Sequence, residues 1–301
     1  MNTIKTRIVA FIYLLLALPS IVSYACPCGC GVSSPLLLGE GERFRLLTYS
    51  KLETSSGFLN LESKQEEEWG PSHFARLGVA FAWSPAANFS LSIDLPISTN
   101  YHQDVGYDSS LADPSITLRR GFSAWHTLDL LFTPGISVSY KQVLAKSMGE
   151  RPEKERNLDI HSNGANETKL IFDLDITDHF WGLFGSGGFF QKLKKQVDWG
   201  EAGAERHFGL GTFLQLTVYR SFIGERRLSF ILEHEQKQAD RIGFEEIVES
   251  KSKSHLLGVG LQERVGAKKT VGLLFSRKGF AGVDYMTKQV DSGQISFSQT
   301  L

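Results

Sequence analysis

The residues that decide the fold read Phe74-Ala75-Arg76-Leu77-Gly78-Val79-Ala80-Phe81-Ala82-Trp83, and after Ser84-Pro85-Ala86-Ala87-Asn88 they continue Phe89-Ser90-Leu91-Ser92-Ile93-Asp94-Leu95. Large apolar side chains occupy alternate positions in both segments, and small or polar residues lie between them. Because successive side chains of a strand point to opposite faces, this stretch predicts a hairpin with one apolar face. Such a face suits either the core of a soluble sandwich or the lipid around a membrane barrel.

The same alternation recurs along the chain and decides between these folds. About twelve segments between residues 43 and 301 show it. The predicted connections between them alternate strictly between short turns and long polar links. Short turns are expected at 84–88, 123–126, 177–179, 220–227 and 264–269. Because outer-membrane barrels have short periplasmic turns and longer extracellular loops, the sequence predicts an all-β, transmembrane, antiparallel up-and-down β-barrel of about 12 strands.

Aromatic residues cluster beside the short turns. Trp and Tyr favour the headgroup level of a membrane because their rings are apolar at one end and polar at the other. Ordinary β-propensity of aromatic side chains is the alternative account. The predicted periplasmic aromatic girdle consists of Trp83, Phe89, Phe122, Trp125, Phe180, Trp181, Tyr219 and Phe222.

Charged residues within the predicted strands lie opposite the apolar positions. A charge on the lipid face costs about 2–4 kcal/mol at the bilayer midplane, so these side chains are expected to point into the lumen. The predicted lumen-lining charges are Arg76, Asp94, Arg119, Asp129, Asp173 and Asp175. Their mixed signs indicate no clear ion selectivity.

Composition excludes some classes of protein. The 301 residues carry a formal net charge of -1, whereas a nucleic-acid surface needs clustered Lys and Arg. Beyond the amino terminus, no apolar run approaches the roughly 20 residues of a spanning helix.

The first 25 residues have the layout of a secretory signal peptide. Lys5 and Arg7 precede an apolar run from Ile8 to Leu18, and Ser23-Tyr24-Ala25 offers small residues before a cleavage site. We expect cleavage after Ala25. An uncleaved anchor and lipidation of Cys26 are the alternatives.

The cysteines all lie in the first residues of the expected mature chain. Cys26, Cys28 and Cys30 alternate, so in an extended chain three thiolates point the same way and can converge on a soft metal ion such as copper or zinc. A local disulfide with one free thiol is the other account. We expect residues 26–42 to form a Cys-rich segment that either plugs the lumen or hangs in the periplasm.

These features resemble a known family, the outer-membrane β-barrel porin-like transporters of the MetA-pathway of phenol degradation type. The resemblance rests on the signal peptide, the turn from Trp83 to Leu91, Asp94-Leu95-Pro96, the Cys-Gly-Cys-Gly start and Ala112-Asp113-Pro114, where related sequences tend to have Gly-Asp. It covers the chain from about Cys26 to the end and implies a barrel and passage of a small solute.

An enzymatic alternative comes from Asp159-Ile160-His161-Ser162-Asn163-Gly164, which is similar to the His-x-Ser-Asn-Gly motif of outer-membrane phospholipase A. Here His161 and Ser162 are adjacent, so in a strand they would point to opposite faces. An Asn-Gly turn explains the segment equally well.

The sequence thus predicts a barrel over residues 43–301 in the bacterial outer membrane, acting as a porin or transporter and not as an enzyme. Its expected partners are outer-membrane lipid, the barrel-assembly machinery and a small solute, with no nucleic acid. A hydrolase and a closed structural or assembly barrel are the alternatives.

Overall fold

The computed structural model of the protein describes residues 38, 42–60, 65–67, 72–86, 88–102, 106–122, 124–127, 130–144, 165–178, 180–197, 204–222, 226–247, 251–266, 268–282 and 286–300. These residues form β1 (Phe44–Asn60), β2 (Gln65–Glu67), β3 (Ser72–Ala86), β4 (Phe89–His102), β5 (Gly106–Leu111), β6 (Ser115–Gly121), β7 (Trp125–Thr127), β8 (Leu130–Lys141), β9 (Glu167–Thr177), β10 (Trp181–Lys192), β11 (Lys195–Val197), β12 (Ala204–His207), β13 (Gly211–Phe222), β14 (Arg226–Lys237), β15 (Asp240–Ile242), β16 (Glu245–Ile247), β17 (Ser252–Arg264), β18 (Lys269–Gly282) and β19 (Met286–Thr300). Within these ranges, no helix has the length and apolar character needed to cross a membrane.

Twelve long strands form a closed barrel. Their order is β1, β3, β4, β6, β8, β9, β10, β13, β14, β17, β18 and β19, and every neighbouring pair is antiparallel. The last strand pairs with the first, from Arg45 opposite Thr300 to Asn60 opposite Met286. The predicted twelve-strand antiparallel barrel is confirmed.

The connections differ between the two ends of the barrel as the sequence predicts. One end has tight turns, such as those between Ala86 and Phe89 and between Thr177 and Trp181. The links at the other end contain secondary structure that the sequence did not reveal. β11, β12, β15 and β16 form a separate four-stranded sheet that joins the β10–β13 link to the β14–β17 link.

Alternation along each strand gives the wall two chemically different faces. Leu77, Leu214 and Leu257 point outward and are 58%, 61% and 60% exposed. Inward positions are buried or partly buried, and Ser137 and Gln215 are only 1% and 2% exposed. An apolar exterior around a polar interior is the arrangement of a barrel surrounded by lipid.

Apolar side chains also fill part of the interior, in four clusters, of which Phe184 and Tyr219 form the smallest. Ile171, Phe190 and Phe213 form one, Ile231, Leu256 and Leu274 form another, and Ala80 and Ala82 with the partly buried Leu38 and Leu47 form the third. A barrel of this size is narrow enough for inward side chains to pack against one another. The polar groups described next lie between these clusters.

Candidate functional site in the barrel interior

Arg119 of β6 and Asp173 of β9 form an ion pair on the inner face. Nη2 of Arg119 lies 2.5 Å from Oδ1 of Asp173, and its Nε lies 3.2 Å from both carboxylate oxygens. β8 runs between the two strands, and a Cβ at Gly135 would overlap both side chains. Glycine at this position therefore allows the pair to form across an intervening strand.

Asp175 makes a second contact of this kind, with Tyr219 of β13. The Tyr219 hydroxyl lies 3.2 Å from Oδ1 of Asp175, and the Tyr219 ring crosses β10 above Gly182, where a Cβ would overlap it. Tyr219 is only 3% exposed. Its predicted place in the periplasmic girdle is therefore wrong. The physical reason is strand parity, since Tyr219 shares its face with Gln215 and points inward.

The third contact joins Tyr49 of β1 to Asp94 of β4. The Tyr49 hydroxyl lies 3.1 and 3.2 Å from the carboxylate oxygens of Asp94, and the ring crosses β3 above Gly78. We call these three contacts, Tyr49–Asp94, Arg119–Asp173 and Asp175–Tyr219, the glycine-floored bridges. Each ties together two strands that are not neighbours.

Arg76 of β3 lies on the same inner face as the Tyr49–Asp94 bridge. It is paired across the strands with Lys51, which forms an ion pair with Glu53. The Arg76 guanidinium carbon lies 5.2 Å from the centre of the Phe74 ring. Five of the six predicted lumen charges therefore point inward, and the sixth, Asp129, lies outside the described residues.

A cluster of lysines around Glu167 was missed by sequence reasoning. Glu167 of β9 is paired with Lys141 of β8 on one side and Lys192 of β10 on the other. Lys169, two residues along β9, has its Nζ 3.3 Å from Oε1 of Glu167. Three lysines thus lie around one carboxylate, and we call this arrangement the Glu167 lysine cluster. These residues lie at strand ends beside the predicted polar links, where a charge has no unusual sequence signature.

Farther around the barrel, one lysine of the inner face lies near two carboxylates. Lys278 of β18 lies 3.8 Å from Glu233 and 3.7 Å from Glu235, both of β14. β17 runs between these strands and places Leu256 opposite both Glu233 and Lys278. The leucine side chain thus occupies the position that glycine holds in the three bridges.

The four-stranded sheet of β11, β12, β15 and β16 lies at the long-loop end of the barrel. Asp240, which is fully buried, stabilises it. Its Oδ2 accepts hydrogen bonds from Arg206 at 2.6 and 3.1 Å, and its Oδ1 accepts them from the Gly209 N–H at 2.8 Å and from Lys237 at 2.7 Å. Burial acts to raise the pKa of Asp240, but the bonds from Lys237, Gly209 and Arg206 outweigh it and hold this pKa below its usual range. We call this arrangement the Asp240 clasp.

The remaining girdle residues lie at the short-turn end. Trp83, Phe89, Phe122, Trp125 and Phe180 are exposed. Trp181 and Phe222 lie on the outer face, where the Arg220 guanidinium is 5.0 Å and 5.4 Å from their ring centres. A cation held between aromatic rings fits a membrane–water boundary.

Two described residues belong to the predicted segment 26–42, and both contact the barrel. Leu38 packs against the inward Ala80 and Ala82, and Glu42 pairs with Arg45 and accepts a hydrogen bond from Thr300 at 3.0 Å. The predicted signal peptide, the thiols Cys26, Cys28 and Cys30, and the His161–Ser162 motif lie outside the described residues. Across the described ranges, no group of three or more His, Cys, Asp or Glu is placed to hold a metal ion.

Comparison with solved structures identifies the class of the fold. The chain is similar to the COG4313 outer membrane channel from Pseudomonas putida F1, with 12% identity and a TM-score of 0.62 over 86% of this chain and 96% of that one. The NanC porin matches at 11% identity over 83% of this chain and all of that one, and a TodX monoaromatic hydrocarbon channel variant at 8% over 96% and 94%. Both have a TM-score of 0.45.

Comparison by sequence finds no match. No protein-family model matches the chain, and no curated protein matches it. The resemblance to outer-membrane barrel transporters is confirmed at the level of fold. The fold is that of a closed, twelve-stranded outer-membrane β-barrel.

Proposed function

We propose that the protein is a channel or transporter that passes small solutes across the outer membrane without a covalent step. The observation that carries this proposal is the inner face of the closed barrel, which holds the glycine-floored bridges and the Glu167 lysine cluster. Charged groups inside a barrel with an apolar exterior favour a water-filled path over a lipid-filled one.

The charge around Glu167 supports a preference for anions. Lys141 and Lys169 place two cations on the inner wall beside Glu167. A fixed charge beside a narrow path attracts ions of the opposite sign. We therefore expect chloride to carry more current than potassium.

Single-channel recording in planar bilayers tests both statements. The refolded protein is recorded in a KCl gradient, with and without residues 26–40. We expect discrete conductance steps and a reversal potential on the anion-selective side. The variant Lys141→Glu combined with Lys169→Glu shifts this potential toward cation selectivity, whereas Lys268→Glu in an exposed short turn leaves it unchanged.

The outcomes separate the candidate functions. Absence of conductance with and without residues 26–40 would contradict the channel and favour a closed structural or assembly barrel. Conductance with an unchanged potential in the double lysine variant would contradict only the role of the cluster. Ester hydrolysis by the detergent-solubilised protein, lost on Ser162→Ala, would instead favour the phospholipase-like alternative.

The cysteines add a proposed metal link to this function. Three alternating thiolates at residues 26, 28 and 30 suit a soft ion such as Cu(I) or Zn(II). Titration of either ion into the refolded protein is compared with a variant carrying Ser at all three positions. Equal stoichiometry in the two proteins would overturn the metal link and leave the channel untouched.

A further inference from the structure

Two histidines that are far apart in sequence meet on the outer face of the barrel. His234 of β14 is directly opposite His255 of β17, and their Nδ1 atoms lie 3.3 Å apart. The ring centres are 4.6 Å apart and the planes are tilted by 32°. At this separation Nδ1–H of one ring can donate a hydrogen bond to Nδ1 of the other, with the direction set by the tautomers.

The same separation matches the distance between two nitrogen ligands of one tetrahedral metal ion. Imidazole nitrogens bind zinc at about 2.0–2.1 Å. Two nitrogens 3.3 Å apart, each at that distance from one ion, enclose an angle of about 104–111° at the metal. Tetrahedral coordination needs about 109°. The rings therefore already stand at the spacing that bidentate coordination requires.

The location leaves room for further ligands. Toward the membrane the next outward pair is Leu232 and Leu257, which are 50% and 60% exposed. Toward the extracellular end the next pair is Gln236 and Lys253, both exposed. On the far side of His255 lies Gly279, where an added Cβ would meet nothing within 4 Å. The two histidines thus sit at the extracellular edge of the apolar belt, open to water.

We propose that His234 and His255 form a binding site for a divalent transition-metal ion at the extracellular boundary of the membrane. Two protein nitrogens hold the ion, and water or another exchangeable oxygen ligand completes its coordination. Nitrogen ligands of this kind suit Cu²⁺, Ni²⁺ and Zn²⁺, with Cu²⁺ bound most tightly. A bound ion would link β14 to β17, the two strands that flank the Asp240 clasp.

Metal titration of the refolded, untagged full-length barrel tests the site. The cysteines are competing ligands, so the background carries Cys26→Ser, Cys28→Ser and Cys30→Ser. We expect one Zn²⁺ per barrel by calorimetry and a two-nitrogen signature in the electron paramagnetic resonance spectrum of bound Cu²⁺. His234→Asn and His255→Asn should each weaken Zn²⁺ binding at least tenfold and remove that signature.

Two further variants make the test specific. His73→Gln removes another strand histidine, whose Nδ1 lies 3.3 Å from the Thr54 hydroxyl, and should leave binding unchanged. Gly279→His adds a third imidazole beside His255 and should tighten binding at least tenfold. Heat-modifiable mobility on gels confirms that each variant folds. Absence of Zn²⁺ binding to the folded parent, or equal binding by the parent and both Asn variants, would overturn the site.

Discussion

Two ion-pair contacts of the barrel each join strands on either side of an intervening strand, and they differ in the distance between the charged atoms. Over Gly135, the Arg119–Asp173 pair closes to 2.5 Å. Over Leu256, Lys278 stays 3.7–3.8 Å from the carboxylates of Glu233 and Glu235. We expect the residue of the middle strand to limit how closely the outer two strands are joined, because glycine leaves room that leucine fills.

The largest loss of stability is expected when one partner of the closest pair is removed. Arg119→Met leaves the Asp173 carboxylate, whose side chain is 1% exposed, without its cation. Loss of one partner of a buried ion pair costs about 3–5 kcal/mol. We expect the free energy of unfolding to fall by this amount in urea titrations of the barrel in lipid vesicles. Arg120→Met, on the exposed outer face of the same strand, is the control and should change it little.

A side chain added at the glycine beneath a bridge should lower the free energy of unfolding by a smaller amount. In Gly182→Ala the new methyl group overlaps the Tyr219 ring and forces it away from Asp175. Overpacking of this kind costs about 1–3 kcal/mol. Gly185→Ala on the same strand meets nothing within 4 Å and serves as the matched control. Equal unfolding free energies for the two variants would contradict the steric role of Gly182.

Glu233 and Lys278, which have Leu256 between them, should show weak energetic coupling. A double-mutant cycle of Glu233→Gln and Lys278→Met isolates the interaction from the other contacts of each residue. Because Lys278 lies 3.8 Å from Glu233 and also neighbours Glu235, we expect a smaller coupling free energy than that between Arg119 and Asp173. A coupling as large as that between Arg119 and Asp173 would show that the middle residue does not set the strength.

The smallest effect is expected outside the barrel, at the Asp240 clasp. Asp240→Asn removes the charge that Arg206 and Lys237 share, so hydrogen exchange at the Gly209 amide should speed up while global unfolding changes little. Because the pKa of Asp240 is lowered in the folded state, the clasp is fully present above about pH 4 and is lost as pH falls through the folded pKa. The protection factor of the Gly209 amide, which corrects for the intrinsic pH dependence of exchange, checks this when measured against pH, and a constant protection factor would contradict it.

The sequence predicts the barrel well because alternation is a local property. Period-two patterning assigns Arg119 and Asp173 to the inner face without knowledge of which strands are neighbours. The same rule places Tyr219 on the inner face with Gln215. The girdle prediction is wrong for Tyr219 because a residue beside a turn still points to the face that its position in the strand dictates.

Contacts between strands were not predictable, since they depend on register. Glu167 meets Lys141 and Lys192 only because the hydrogen-bond ladders align those residues. His234 and His255 are 21 positions apart and show no ligand spacing in the sequence, yet the ladder places them opposite each other. The Asp240 clasp likewise joins two links that the sequence marks only as polar.

Closure of the barrel through β1 and β19 has a consequence for how the chain folds. The Thr48 hydroxyl lies 3.4 Å from the carbonyl oxygen of Phe297, and these residues are separated by 249 positions. Pairing over such a separation is entropically costly to initiate, so it makes folding slow. Until β19 is in place, β1 is an unpaired edge that can join to another chain. The ring therefore cannot close before β19 has reached the membrane, and a variant that lacks β19 should aggregate rather than form an open barrel.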